Sequence, residues 1–267
     1  MRARQCDIVP VRGPGRATSE DGAVTREHAD GAGRSFGEAA TAYETGRPDY
    51  PQDFVDEVLP PAPSLVADVG AGTGKLTRVV RRTGRDVVAV DPDARMLERL
   101  SAASPEVRTR VGTGESLPLP DASVDAVVFG QAWHWVDPPR AAAEAARVLR
   151  ASGPLVLLWN IRDLRDGFAR TLAELIGDSP AETLIDGPGP VVPAPFGPLE
   201  HLTVDWVREM TTGQLLEMVA SRSTLIDASV AERNRILAAV REMTGGGPVR
   251  LPYVTHAFVT RRPATGR

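Results

Sequence analysis

Three glycines at alternate positions follow a short apolar run in Val66-Ala67-Asp68-Val69-Gly70-Ala71-Gly72-Thr73-Gly74-Lys75. A glycine-rich turn that leaves a strand and opens a helix lets a ligand approach backbone N–H groups closely. Three loop chemistries compete for this pattern. A triphosphate loop requires glycine at position 69 and serine or threonine at position 76. The chain has Val69 and Leu76, so that reading fails. A dinucleotide fingerprint starting at Gly70 requires its third glycine at position 75, where Lys75 stands, which weakens a nicotinamide-binding reading. What remains is D-x-G-x-G-x-G. Asp68 stands two residues ahead of the first glycine, where a carboxylate is buried at a cost unless a ligand or backbone donors meet it. Asp91 closes the next apolar run, 21 residues after Gly70. A carboxylate there either accepts both hydroxyls of a ribose or caps the following helix.

The second reactive stretch is Gly130-Gln131-Ala132-Trp133-His134-Trp135-Val136-Asp137, with two of the four tryptophans and one of the four histidines. His134 is the one evident neutral-pH base in this loop, and its alternative is a structural ring bonded to backbone beside core tryptophans. Later in the chain, Ser221-Arg222-Ser223, Trp206, Tyr253 and His256 are candidate acceptor contacts, each equally readable as surface, core or strand pairing. Arg222 stands out because an anionic ligand calls for a guanidinium.

The elements that position these residues alternate in type. Strands are expected at Leu65 to Val69, Asp86 to Asp91, Val107 to Val111, Val124 to Phe129 and Leu155 to Trp159. Helices between them run from Lys75 to Arg82, through Ala94, Met96, Leu97 and Leu100, and from Asp137-Pro138 to Arg150. Continuously apolar strands alternating with helices indicate a parallel sheet covered on both faces, a doubly wound α/β domain. Two helices, Phe36 to Glu44 and Pro51 to Leu59, precede it. After Asn160 the rhythm changes to helices at Asp166 to Ile176, Thr212 to Ala220 and Ser229 to Met243, and strands at Leu199 to Val207 and Val249 to Arg261. Eight of the twelve residues from Gly187 to Pro198 are glycine or proline, which marks a linker. Residues 1–34 show no apolar periodicity and read as a disordered arm.

Composition narrows the class of partner. The 267 residues are 42% hydrophobic and 25% charged with a net charge of −4, enough for a globular core and without the basic footprint of a nucleic-acid binder. The single cysteine, Cys6, makes neither an internal disulfide nor a zinc site, and no metal is expected. With no signal peptide and no 18-residue apolar run, a cytoplasmic protein without a membrane partner is expected. Oligomeric state is not legible.

The motif set resembles the class I S-adenosylmethionine-dependent methyltransferases, from about Phe36 to Trp159, and within them the trans-aconitate methyltransferase-like, type 11 subgroup. The resemblance implies a mostly parallel seven-stranded sheet over residues 35–267 and S-adenosyl-L-methionine as cofactor. It also implies acceptor-covering insertions within 163–248. It sets Asp68, Gly70, Gly72 and Gly74 against the methionine part of the cofactor and Asp91 on the ribose. The stretch Gly112 to Asp125 would lie against adenine, with Thr113, Gly114 and Glu115 as contacts. Thr113 departs from the family's usual acid, so Glu115 or backbone would meet the adenine amino group. Phe36-x6-Tyr43-x3-Arg47-Pro48-x-Tyr50-Pro51 resembles the subgroup's entry helix, in which Arg47 would meet the cofactor carboxylate and Tyr43 close the pocket. Gln131 would touch the cofactor, and Trp133, Trp135 and Arg222 would face a small-molecule acceptor. His-Trp after the fourth strand is similar to methyltransferases of carboxylic acids, including the juvenile hormone acid group, so oxygen of a carboxylate or hydroxyl is the expected acceptor atom. Transfer to nitrogen or carbon, a nicotinamide oxidoreductase and a non-catalytic cofactor-binding protein are the alternatives.

Overall fold

The computed structural model describes residues 48–226 and 228–263. The expected arm, the helix at 36–44, Tyr43 and Arg47 lie outside them. The described chain runs α1 (Gln52–Val58), β1 (Leu65–Val69), α2 (Lys75–Arg82), β2 (Asp86–Asp91), α3 (Ala94–Ala103), β3 (Arg108–Val111) and β4 (Ala126–Gly130). A 3-10 turn at Trp133–Trp135 leads to α4 (Pro138–Val148), β5 (Pro154–Arg162), α5 (Gly167–Ile176) and α6 (Pro180–Asp186). Then come β6 (Glu200–Met210), α7 (Thr212–Ala220), α8 (Ser223–Ile226), α9 (Val230–Thr244) and β7 (Val249–Arg261).

The seven strands form one sheet in the order β3-β2-β1-β4-β5-β7-β6. The first five are parallel, and β7 is antiparallel to both β5 and β6. The order reverses between β1 and β4, and in open α/β sheets that switch point is where ligands bind, beyond the carboxyl ends of the strands. The Gly70 loop and the Gln131 loop both leave the sheet there.

Although the central strands read as unbroken apolar runs, alternate residues serve opposite faces. Val127, Phe129, Leu155, Leu157 and Trp159 pack with the alanine face of α4, including Ala141 and Ala145. Val66, Val128, Val156 and Leu158 pack instead against Phe54 and Val55 of α1 and Leu76, Val79 and Val80 of α2. A third core joins Leu172 and Ile176 of α5, Leu215 and Met218 of α7 and Ile236 and Val240 of α9 to Leu251 and Tyr253 of β7. This helical layer covers one end of the sheet.

Differences from the expected boundaries are local. The fourth strand starts at Ala126, and Val124 makes only an isolated bridge to Leu149. The fifth strand runs on to Arg162 because β7 pairs with it through Arg162↔Tyr253. Helix α6 was not expected. It is opened by Ser179, whose side chain accepts from the Glu182 N–H while Glu182 accepts from the Ser179 N–H, a reciprocal cap legible in Ser-Pro-Ala-Glu.

Candidate active site

The loop after β1 is pinned from behind. The N–H groups of Gly70 and Ala71 donate to the Val90 carbonyl at 2.8 and 3.1 Å. Gly70 has φ +71°, and a Cβ built on it would lie 2.5 Å from the Cβ of Ala132, so the glycine is required by packing. Gly72 has φ +56°, and a Cβ there would meet nothing within 4 Å. Packing therefore does not require this glycine, and its backbone is open to approach.

Asp91 closes this turn. Its Oδ2 accepts from the Gly72 N–H at 2.8 Å and its Oδ1 from the Asp93 N–H at 2.9 Å. Burial raises its carboxyl above the ordinary value despite those bonds. The cap of α3 is supplied by Asp93, whose side chain accepts from the Arg95 N–H. Asp91 is therefore free of the helix-capping duty that competed with a ligand role.

Asp68 is 1% exposed. Its Oδ2 accepts from the Thr77 hydroxyl at 2.6 Å, while Oδ1 has no partner. Burial pushes its carboxyl up to about 7, opposed by the Thr77 hydrogen bond and assisted by the charge of Asp91. The buried Thr73 hydroxyl also lacks a partner. Both residues line a pocket of about 400 Å³, with Gly70, Ala71, Lys75, Gly130 and Gln131. Unpaired buried polar groups are costly, and they belong where a ligand completes them.

A second, partly open pocket of about 600 Å³ adjoins the first, sharing Pro48 and Gln131 as its wall. Asn160 and Arg162 of β5, Glu182 of α6, Met218, Arg222 and Tyr253 line its far side. Gln131 takes φ +56°, its N–H donates to the Leu158 carbonyl at 2.8 Å, and its side chain donates to the Asn160 carbonyl at 3.4 Å. Asn160 is held in turn by the Thr255 hydroxyl, which donates at 2.6 Å and accepts from the Trp206 indole at 2.9 Å.

The sequence candidates fall into separate places. Asp68, Gly70 and Gln131 line the first pocket, and Gln131, Ser221, Arg222 and Tyr253 the second. Thr113 forms a small bridge with Ser116, and Gly114 packs closely against Val136 and Phe129. Glu115 accepts from the Asp137 N–H at 2.8 Å, and none of these three lines either pocket. Trp133 is 2% exposed, edge-on to Phe129 with its indole donating to the Val191 carbonyl at 3.2 Å. Trp135 is 41% exposed beside His134. The structure thus puts one tryptophan in the core and one at the surface, and neither in the second pocket's wall. The His134 Nδ1 accepts from the buried Trp159 indole at 3.4 Å. His256 pairs with His201 at 3.0 Å, outside the wall of both pockets.

Asn160, Arg162 and Glu182 escaped sequence reading. A cation ending an otherwise apolar strand was the available signal for Arg162. Among the described residues no cluster of His, Cys, Asp or Glu could hold a metal, and no helix is long and apolar enough to cross a membrane.

Known proteins resemble this chain in sequence and in fold. The family described as "Methyltransferase domain" matches residues 67–157. An uncharacterized methyltransferase of Mycobacterium bovis is 46% identical over 230 residues, covering 83% of this chain and 93% of the relative. A methyltransferase-like protein of Schizosaccharomyces pombe is 30% identical over 251 residues, 86% of this chain and 96% of its own. A malonyl-acyl-carrier-protein O-methyltransferase of Pectobacterium atrosepticum is 39% identical over 89 residues, 33% of this chain and 35% of its own. Among solved structures, a protein of Anaeromyxobacter dehalogenans provisionally assigned to the type II methyltransferases superposes with TM-score 0.58 at 23% identity, over 82% of this chain and 99% of that one.

Proposed function

This chain belongs to the class I S-adenosylmethionine-dependent methyltransferases, and from that premise we propose that it methylates a small molecule at oxygen, of a carboxylate or hydroxyl. The observation that carries the reading is the shared wall. A cradle at the switch point and a second pocket share Gln131 and Pro48 as a common wall, which places a cofactor site beside an acceptor site. The residues of the cradle fit the cofactor: Asp68 and Thr73, which line it, each carry a buried oxygen without a partner, and a Cβ on the neighbouring Gly72 would meet no protein atom within 4 Å. Bound there, S-adenosylmethionine supplies an electrophilic methyl group on a sulfonium. The chain's own contribution is then alignment and exclusion of water, an effect that can reach about 7–11 kcal/mol.

Oxygen is favoured by two observations. The Pectobacterium relative is an O-methyltransferase. And an imidazole that accepts at Nδ1 from Trp159 carries its own proton on Nε2 when neutral, so His134 has no lone pair to offer a substrate proton. A carboxylate acceptor needs no such base. With a carboxylic-acid acceptor, His134→Asn should therefore lower the rate of S-adenosylhomocysteine formation by less than about tenfold, since the amide oxygen can take the Trp159 N–H. A fall of about 10²- to 10⁴-fold is what removal of a general base produces, and it would reinstate His134 in that role.

Asp68 makes the cradle sensitive to pH. With its carboxyl raised to about 7, it is largely protonated and neutral below that value and attracts a cationic cofactor only above it. Calorimetry between about pH 5.5 and 7 should show S-adenosylmethionine affinity rising with pH, by at most about tenfold per unit for one linked proton. Asp68→Asn should flatten this profile. A wild-type profile already flat would remove Asp68 from the cofactor site. Turnover on a panel of small acids and alcohols tests the reading as a whole, and saturable cofactor binding without turnover on any of them would favour a non-catalytic protein.

A further inference from the structure

The second pocket carries an unbalanced charge at its far wall. The side chains of Arg162, Glu182 and Arg222 are 2%, 9% and 15% exposed. Oε1 of Glu182 accepts from Arg162 Nε at 2.8 Å and lies 2.7 Å from Arg162 Nη2. Oε2 accepts from Arg222 Nη2 at 2.8 Å and from the Ser179 N–H at 2.7 Å. Burial works against ionisation of Glu182, but the pull of Arg222 and Arg162 holds its carboxyl at about 2. Two guanidiniums and one carboxylate leave one net positive charge. Asp186, which senses the charge of Glu182, and Asp178 beside it are exposed and outside the pocket wall.

Arg162 carries a nitrogen that its partners in the cluster do not meet. Arg162 Nη1 is buried with no hydrogen-bond partner, on a side chain that lines the pocket. Guanidinium N–H groups are seldom left unmet when buried, because their hydration is lost without replacement. A ligand oxygen is the natural complement, and it should be anionic to match the net charge. A carboxylate, with one charge, balances the cluster; a phosphate dianion would leave a buried excess of negative charge. Met218 and Tyr253 complete an apolar wall, with the Tyr253 hydroxyl turned onto the Met218 sulfur at 3.3 Å.

We propose that Arg162 anchors a carboxylate of the methyl acceptor through Nη1, so that the substrates of this enzyme are organic acids with an apolar body. Glu182 and Arg222 position the guanidinium without meeting the acceptor's charge directly. With Nε and Nη2 of Arg162 committed to Glu182 and the Gly177 carbonyl, the contact reaches one carboxylate oxygen and leaves the second available. The inference rests on the methyltransferase reading above, because it takes this pocket as the acceptor site.

The test is calorimetry on the full chain saturated with S-adenosylhomocysteine, titrated with hexanoate, phenylacetate and cinnamate and with the methyl ester of each. At least one acid should bind tenfold or more tightly than its ester. Arg162→Met should abolish that preference while leaving S-adenosylhomocysteine affinity unchanged. A purely structural Arg162 would instead lower the melting temperature and leave the preference intact, which overturns the proposal. Equal binding of acid and ester, absence of binding by every acid, or tighter binding of inorganic phosphate also overturns it. If Arg162→Met does not fold, Arg162→Lys is read instead and should weaken acid binding three- to tenfold. Loss of S-adenosylhomocysteine binding by the wild-type protein would be a failure of the methyltransferase reading itself, visible before any acid is added.

Discussion

Asp91→Ala is expected to weaken S-adenosylhomocysteine binding by at least about a hundredfold while leaving a cooperative melting transition. The carboxylate offers roughly four lone-pair sites on its two oxygens, and backbone donors of Gly72 and Asp93 take one on each oxygen. The remaining capacity suits the two ribose hydroxyls. Hydrogen bonds to a charged group contribute about 1.5–3 kcal/mol each, so two of them correspond to about two to four orders of magnitude in affinity. The alanine variant also releases the Gly72 N–H and with it the shape of the turn, which acts in the same direction. The fold should tolerate the change because burial already disfavours the ionised Asp91, and removing it relieves that cost. Calorimetric titration of the variant decides the matter, and affinity within a few fold of wild type would exclude Asp91 from the cofactor site.

The second large effect separates two glycines of one loop. Gly72→Val should abolish cofactor binding with a modest loss of stability, whereas Gly70→Ala should act chiefly on the fold. At position 72 a Cβ would meet no protein atom within 4 Å, so the protein itself leaves room for the side chain, and on the proposed reading that room is taken by the cofactor. The cost to the apo protein is confined to a left-handed backbone, about 1–2 kcal/mol for an ordinary residue and more for a β-branched one. At position 70 a single methyl group would lie 2.5 Å from the Cβ of Ala132. The same left-handed strain then adds to overpacking of about 1–3 kcal/mol. Parallel melting and binding measurements on the two variants should therefore diverge. Similar melting temperatures, or retained binding by Gly72→Val, would contradict the assignment of one glycine to ligand approach and the other to packing.

The parallel half of the sheet was legible because its signals are local. Apolar runs such as Val66 to Val69 and Val87 to Val90, separated by helices with recognisable caps, fix both the strands and their parallel sense. The glycine turn after β1 was legible for the same reason, since Asp68 through Gly74 is contiguous in sequence, and Asp68, Gly70, Ala71 and Thr73 do line one pocket. The second pocket was not, because its wall gathers Arg162, Glu182 and Tyr253 from three separate elements and Gln131 and Arg222 from two connections. Arg222 drew attention as an isolated cation, but its partner Glu182 lies 40 residues away in a helix that sequence reading passed over. The roles given to Trp133 and Trp135 show a different limit. Two aromatic residues flanking a histidine look equivalent on paper, and a single 3-10 turn sends one into the core against Phe129 and the other to the surface.

Strand β5 continues beyond the end of β4. Its last pair with β4 is Gly130↔Leu158, and Trp159 to Arg162 run on with only β7 beside them. That overhang carries Asn160 and Arg162, while Asp68, Gly70, Gly72 and Asp91 belong to β1, its loop and β2. On the proposed reading, substrate choice and cofactor recognition ride on different strands, with the Gln131 side chain hydrogen-bonded to the Asn160 carbonyl between them. Such separation lets a lineage exchange acceptors by altering a few residues at one strand tip and in the covering helices, without disturbing the machinery that supplies the methyl group. It also marks where redesign for a new acid should begin: at Arg162 and its neighbours, with everything before Gly130 left as it is.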